Sequence, residues 1–409
     1  MKLCDITQFF SPTSGGVKRY LLSKAEYIRA HQGMEHVLIL PGSEDSCETD
    51  GPLTRYTIRS PGIPGTQSYR LLLRFGEIRK ILQEEKPDLV EVGDPYQLGW
   101  ASARLTRELN LPLVAFYHSD YPRALGRTVE RFTNRWAARF AERWLTKYLT
   151  GLYNQMNATL VASDRMLEIL RKCGVEPLYH TPIGIDTQIF RPRAVRDQVR
   201  RQLGIDPDRF LLLYVGRMSR EKNIRVLLQT MDILERSAPG LYHLLLVGQG
   251  HLDQLVQRKC REHDFITWRP FCADSDRLAE IYSAADLFVH AGSCETYGLV
   301  VLEAQACGTP VVAIRGGGTD SLNQAGERFL AEKAHPMSLF KTICKARSAL
   351  SEALRIKVRQ DVAACYEVTT NFQKQFEVYR EVLRSHRSGA DVPSEKDLAE
   401  SQVREKRVG

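Results

Sequence analysis

Short uninterrupted apolar runs alternate with stretches of helical period along most of this chain. The runs are KLCDITQFF at 2–10, HVLILP at 36–41, PDLVEV at 87–92, LPLVAFYHSD at 111–120, ATLVASD at 158–164, RFLLLYV at 209–215, HLLLV at 243–247, FITWRPFC at 265–272, LFVHA at 287–291 and PVVAI at 310–314. They are too short for core helices, and most lack the alternation of a half-solvated strand, so they predict strands covered on both faces of parallel sheets. Helical patterns are expected near 18–31, 69–86, 97–109, 193–204, 299–306, 337–352, 353–366 and 368–386. Strand alternating with helix is the pattern of an α/β chain. Residues 42–67 are rich in Gly, Pro, Ser and Thr and predict an irregular excursion with one short strand near 54–58. Residues 388–409 are polar, carry no aromatic side chain and predict a disordered tail.

The composition narrows the class. A chain of 409 residues is long enough for two α/β domains with full cores. No apolar run approaches the ~20 residues that cross a bilayer, and the N-terminal MKLCDITQFF is not expected to act as a signal peptide, since Asp5 interrupts an already short apolar stretch. The nine cysteines are irregularly spaced without C-x-x-C, which predicts thiols in a reducing compartment rather than a disulfide or zinc framework. A cytoplasmic protein is expected, working at the inner face of the membrane if it meets a membrane at all. The net charge of +8 favours anionic partners such as nucleotides and lipid headgroups.

The chemistry concentrates at 289–318, VHAGSCETYGLVVLEAQACGTPVVAIRGGG. Strand, glycine loop, helix and strand make one βαβ unit. The amides of Gly298, Leu299 and Val300 at the helix N-terminus suit a phosphate. Glu295 lies in the loop before them and Glu303 on the apolar helix after them. Glu303 is either a single exposed polar position or, with Glu295, a hydrogen-bond acceptor for a ligand whose phosphates lie between the two acids; a nucleotide-sugar fits. Elsewhere, VGRMSREKN brings Arg217 and Lys222 to the end of a strand, where paired cations neutralise a diphosphate leaving group. Gly248 lies in a similar turn. Gly15 and Gly16 follow the first strand, before Lys18, as a phosphate turn or as a plain connection. His118 and Asp120 follow the strand 111–117.

The string CETYGLVVLEAQACGTPVVA, an E-x7-E between a strand and a glycine turn, closely resembles the signature of the family-4 retaining glycosyltransferases of GT-B fold, and the resemblance runs over most of residues 1 to about 385. It implies two Rossmann-like domains facing each other across a cleft: 1–180 on the acceptor side, 181–366 for the nucleotide-sugar, a helix 367–387 crossing back to the first domain, and the tail 388–409. The segment IGIDTQIFRP at 183–192 is similar to the interdomain crossover of that family. The resemblance implies that Glu295 holds the sugar, Glu303 the ribose, and Arg217, Lys222, Gly15, Gly16, Gly248 and Gly298 the donor, with His118 close to the transferred sugar and Asp120 on the acceptor side. It implies a metal-independent hexosyltransferase without cofactor, using a UDP- or GDP-linked donor and a lipid or glycan acceptor. YHSDYP and the helix described next resemble most the branch of phosphatidylinositol mannosyltransferases and sulfolipid synthases.

Between 123 and 148, basic residues recur every fourth position from Arg123 to Lys147, and Phe132, Trp136, Phe140, Trp144 and Tyr148 follow one position behind from the third of them onward. Two readings stand. The aromatics pack on their domain with the arginines solvated, or the Arg123–Lys147 surface contacts an anionic membrane. No other feature resembles a nucleic-acid module, so no nucleic acid is expected. Asp206-x-Asp208 and Asp274-x-Asp276 have the letters of a metal motif but the setting of turn formers and helix caps. The alternatives are an NAD(P)-dependent two-domain oxidoreductase, for which G-x-G-x-x-G is lacking, and a degenerate transferase acting as a membrane-binding partner.

Overall fold

The computed structural model describes residues 1–10, 16–63, 69–118, 120–293, 295 and 297–395. They form two compact units, Met1–Ile183 together with the chain from Thr369 onward, and Gly184–Val368.

The first unit runs β1 (Lys2–Ile6), α1 (Gly16–Arg29), β2 (Glu35–Gly42), β3 (Ser46–Asp50), β4 (Leu53–Arg59), α2 (Phe75–Glu85), β5 (Leu89–Val92), α3 (Gln97–Glu108), β6 (Leu113–Tyr117), α4 (Tyr121–Phe132), α5 (Arg135–Tyr153), β7 (Ala158–Val161), α6 (Asp164–Lys172) and β8 (Leu178–His180). The strand order is β3-β4-β2-β1-β5-β6-β7-β8, parallel throughout except for the β3–β4 hairpin. β5, β6 and β7 are buried along their whole length, which is why they read as unbroken apolar runs. The second unit runs α7 (Arg196–Leu203), β9 (Phe210–Val215), α8 (Ile224–Ser237), β10 (Tyr242–Val247), α9 (Asp253–Glu262), β11 (Ile266–Arg269), α10 (Ser275–Ala284), β12 (Leu287–His290), α11 (Leu299–Ala306), β13 (Val311–Ile314), β14 (Leu330–Ala331), α12 (Pro336–Ala349) and α13 (Glu352–Tyr366). Its sheet is parallel, in the order β11-β10-β9-β12-β13-β14. Each sheet thus reverses its winding once, between β1 and β5 and between β9 and β12, and such switch points are where open α/β sheets bind ligands.

The last helix, α14 (Val368–Ser388), belongs from Thr369 to the first unit. Phe372 and Phe376 pack on Tyr27 with ring centroids 5.4 and 5.1 Å apart. Gln375 and Tyr379 join a fully buried polar cluster. Lys24 donates to Asp5 Oδ1 (3.0 Å), Glu91 Oε1 (2.7 Å) and the Tyr379 hydroxyl (3.2 Å); His36 Nε2 lies 2.6 Å from Asp5 Oδ2; and Tyr20 donates to Glu91 (2.9 Å). The Tyr379 hydroxyl also donates to Glu91 Oε2. Burial pushes the Glu91 carboxyl up to about 7, against the pull of Lys24. For Asp5 the opposite wins: burial favours the acid, but Lys24 and His36 hold it well below the usual carboxylate range.

Four stretches differ from the pattern expected of them. The helix expected from 69 begins only at Phe75, because residues 69–71 pair back on the chain: Tyr69 accepts from the Ile63 amide and Leu71 donates to Pro61, both at 2.9 Å. The excursion at 42–67 contains the β3–β4 hairpin, whose first strand is wholly exposed and so carries no apolar signal. The stretch 123–150 is two helices rather than one. Asn134 is extended and accepts from the Ala137 amide at 2.9 Å, starting α5, and Gly126 of α4 abuts Glu142 of α5. Residues 389–395, counted above with the tail, lie against β8, where Tyr179 donates to the Pro393 carbonyl and Glu395 accepts from the His180 amide.

Candidate active site

In the second unit the residues singled out from the sequence gather at the switch point. β9 ends at Val215 and the chain turns through Gly216 (φ +149°) to an exposed Arg217 and on to Lys222. Asn223 then ties this loop to the one after β12, its amide donating to the Ala291 carbonyl (2.9 Å) and the Ser293 hydroxyl (3.3 Å). The loop after β12 carries Glu295, held from beneath by the glycine turn after β13. The Glu295 amide donates to the Gly317 carbonyl at 2.8 Å, and a Cβ on Gly318 (φ +94°) would overlap the Glu295 carbonyl. Gly298 (φ +91°) caps α11 in the left-handed region, with Leu299 and Val300 half-buried in the first turn. Its Cα approaches so closely that a Cβ there would lie 3.2 Å from Glu295 Cγ and 2.5 Å from Thr319 Cγ2.

Lys222 and Glu295 form an ion pair whose side chains keep about a fifth of their surface exposed. His290, the buried last residue of β12, supports Glu295 with Nε2 at 3.5 Å, while its Nδ1 faces the Thr319 hydroxyl at 3.4 Å. Burial alone would raise the Glu295 carboxyl, but Lys222 and His290 outweigh it and hold the group well below the usual carboxylate range. Glu295 is therefore a fixed anion at neutral pH. Gly248 lies in the turn after β10, where a Cβ would overlap the Gly216 carbonyl, and its own carbonyl accepts from Trp268 Nε1 at 2.9 Å. Glu303 lies further along α11. It has no solvent exposure, and its Oε2 accepts from the Tyr282 hydroxyl at 2.8 Å. Asp274 caps α10 and Asp206 accepts from the Asp208 amide, so both D-x-D pairs are engaged in local turns.

In the first unit His118 follows β6, stacked on Phe116 (4.6 Å) and edge-on to Tyr20 (5.5 Å). Gly93 leaves it room, since a Cβ there would lie 2.9 Å from His118 Nε2. Burial lowers the imidazole to about 3, helped by the charge of Lys24, so the ring is neutral at physiological pH. Asp120 is the N-cap of α4, accepting from the Arg123 amide at 3.3 Å. Gly16 is the exposed first residue of α1, and Gly15 lies outside the described residues.

Two residues escaped the sequence reading. His290 is a polar group closing an apolar strand, a signal that was available. Asp94 follows β5 at the switch point, 1% exposed, and its Oδ2 accepts from the Gln8 amide at 3.1 Å. Burial pushes its carboxyl up to about 7, against hydrogen bonds from Thr7 and Gln8. Its visibility depended on knowing that β1 and β5 are neighbours.

Two substitutions test this geometry. Gly318→Ala forces Glu295 to move and places an L side chain in the left-handed region, so at least a tenfold loss of turnover is expected, read as kcat on the purified variant beside its circular dichroism spectrum. Asp94 binds a proton in the folded chain up to pH about 7, but in the unfolded chain only up to the ordinary aspartate value of about 3.9. Between those values the folded state holds the extra proton, so stability falls as pH rises and the full penalty is present above 7. Asp94→Asn should flatten this part of the curve, gaining on the wild type at pH 8 relative to pH 5 in urea unfolding.

Residues 14–189 match the profile described as Glycosyltransferase Family 4, and residues 195–355 the profile described as Glycosyl transferases group 1. A GDP-mannose-dependent alpha-mannosyltransferase of Corynebacterium glutamicum is 27% identical over 329 residues, covering 80% of this chain and 75% of that protein. A GDP-mannose-dependent alpha-(1-6)-phosphatidylinositol dimannoside mannosyltransferase of Mycobacterium tuberculosis is 29% identical over 319 residues, covering 77% and 80%. Among solved structures, sucrose-phosphate synthase of Thermosynechococcus elongatus aligns with a TM-score of 0.75 at 22% identity, over 94% of this chain and 99% of that one.

Proposed function

This chain belongs to the group 1 and family 4 glycosyltransferases, with the GT-B fold, and we propose that within them it transfers mannose from GDP-mannose to a hydroxyl of a membrane lipid. That it is a hexosyltransferase using a nucleoside-diphosphate sugar follows from the family. The oxidoreductase alternative has no support there, and the degenerate-partner reading fits poorly with a chain that keeps Arg217, Lys222, Glu295 and Glu303. The GDP-mannose donor rests on the two relatives, each named for that donor.

The observation that carries the reading is the Lys222–Glu295 pair beside the N-terminus of α11 at the switch point. Arg217, Lys222 and the first-turn amides of α11 bind the diphosphate and stabilise the charge it gains as the glycosidic bond breaks. Glu295, an anion at neutral pH, accepts hydrogen bonds from sugar hydroxyls and is not the nucleophile. The acceptor hydroxyl attacks on the face the diphosphate leaves, and the departing phosphate takes its proton, which retains the anomeric configuration. Glu303 holds the ribose in this reading, its carboxylate accepting from the ribose hydroxyls as well as from Tyr282.

The test is a donor panel without added metal. GDP and GDP-mannose are expected to raise the melting temperature and GDP-mannose alone to turn over. Stabilisation and turnover with UDP-glucose instead would replace the donor while leaving the transferase standing.

No helix among the described residues is long and apolar enough to cross a membrane. A lipid acceptor is therefore reached from the surface, here the inner face of the cytoplasmic membrane, and α4–α5 supplies the means. Phe132, Trp136, Phe140 and Trp144 are 75, 80, 73 and 58% exposed. Arg139, Arg143 and Lys147 are exposed beside them and carry no ion pair among the described residues. Large aromatics held in water with cations alongside favour an anionic bilayer. Trp136→Ser with Phe140→Ser should lower binding to phosphatidylglycerol vesicles at least tenfold in co-sedimentation, and added salt should weaken the wild type.

A further inference from the structure

The exposed aromatic stripe does not end at the surface. Trp144 and Tyr148, stacked at 5.7 Å, continue from it into a cavity of about 600 Å³ within the first unit. Tyr96, Tyr121, Leu125 and Leu145 complete most of its wall, giving it aromatic and aliphatic surfaces contributed by α4, α5 and the chain entering α3. Volumes of this order, about 300–1,000 Å³, accommodate small ligands. Leu145 and Tyr121 anchor it in the hydrophobic core of the unit, while Trp144 is more than half exposed.

One amide side chain, that of Gln97, also lines the cavity. It donates to Gln8 Oε1 at 2.9 Å, and the Gln8 amide donates to Asp94. Tyr96, meeting Tyr121 at 5.8 Å and Phe9 at 6.3 Å, separates the cavity from the loop after β1. The sheet edge carrying Asp94 and His118 is thus joined to a cationic, aromatic outer face by an apolar recess. A ligand with a hydroxylated head at the sheet edge and a hydrocarbon chain in the recess matches that sequence of surfaces.

We propose that this recess binds a hydrocarbon chain of the lipid acceptor, drawn from the bilayer past Trp144 so that the headgroup lies at the edge formed by Asp94, Gln97 and His118. This rests on the acceptor being a lipid and extends it. The aromatic stripe holds the protein on the membrane; the recess selects and positions one lipid molecule. Asp94, buried and hydrogen-bonded at the switch point, is a positioning residue for the headgroup.

The test uses lysophosphatidylinositol below its micellar concentration, with chain length varied, and reads binding by isothermal titration calorimetry. Each CH₂ buried in the recess tightens binding about fourfold, so affinity should rise steeply with chain length and then stop rising when the recess is full. Leu125→Trp, which fills the recess, should weaken binding of the long-chain probe at least tenfold, whereas Phe271→Ser, removing an exposed aromatic of the second unit, should not change it. A continuous rise without a plateau, or equal binding by Leu125→Trp and wild type, overturns the proposal. Folding of Leu125→Trp is checked by its far-UV circular dichroism spectrum and its urea-unfolding midpoint beside those of the wild type. Transfer assays separate the recess from the activity. Chain-dependent binding with no mannosyl transfer to any lipid keeps the recess and rejects the lipid-acceptor reading. Transfer to a lipid that proceeds at the wild-type rate in Leu125→Trp keeps that reading and rejects the recess.

Discussion

Glu295→Gln is expected to lower kcat by on the order of 10²–10⁴ while leaving the chain folded and GDP bound. The side chain is partly exposed, so its loss uncovers no large buried charge, and the loop is fixed by its backbone through Gly317 and Gly318 rather than by the carboxylate. Hydrogen bonds to charged groups contribute about 1.5–3 kcal/mol each, and losing two from sugar hydroxyls accounts for that range. Glutamine keeps the shape and removes the charge that Lys222 and His290 stabilise. The measurement is single-turnover mannosyl transfer with GDP affinity determined in parallel. Wild-type turnover would reject Glu295 as the sugar-binding anion; a loss confined to GDP affinity would reassign it to holding Lys222.

The second large effect is on stability. Lys24→Met removes the one ammonium shared by Asp5 and Glu91 in a cluster where Lys24 has no solvent exposure. Removing one partner of a buried ion pair costs about 3–5 kcal/mol, because the remaining charge is left without compensation. The deficit should depend on pH with a definite sign. In the wild type Glu91, at about 7, holds a proton that the unfolded chain has released above about 4.5, so stability falls as pH rises through that interval. Asp5 acts in the reverse direction: its contribution is present above its ordinary range and is lost only on strong acidification. Without Lys24 the Glu91 proton is held still more firmly, so the variant should recover part of its loss between pH 7 and pH 5. Urea unfolding at the two pH values reads both effects, and an unchanged midpoint at pH 7 would mean that the cluster is not the junction the geometry indicates.

How much of this was legible in the sequence follows from the range over which each signal acts. Doubly covered parallel strands announce themselves locally, and the βαβ unit around Glu295 could be drawn from VHAGSCETYGLVVLEAQACGTPVVAI alone. Glu303 was correctly seen as an acid on an apolar helix, but its Tyr282 partner lies on a separate helix and has no local trace. The paired periodicities of Arg and aromatic residues were also plain; the break at Thr133–Asn134 was not, because a side-chain cap looks like any polar residue within a charged helix. Of the two readings of the aromatics, burial holds for Tyr148 at most, and Phe132, Trp136, Phe140 and Trp144 face water. Asp94 was invisible because its environment is created by the adjacency of β1 and β5, residues some 86 positions apart in the chain.

The placement of α14 also bears on how the chain is made. The first unit is discontinuous: it ends at Ile183 and resumes at Thr369. At ~5–20 residues per second, the ribosome emits the intervening segment over roughly 10–40 s, during which Glu91 and Lys24 wait without Gln375 and Tyr379. The second unit has all its strands before the first has its last helix. Nascent chains of this protein therefore invert the usual N-to-C order of maturation, and a premature stop just after Val368 would release a complete second unit attached to a first unit with an open, charged seam, a natural target for chaperones and proteases.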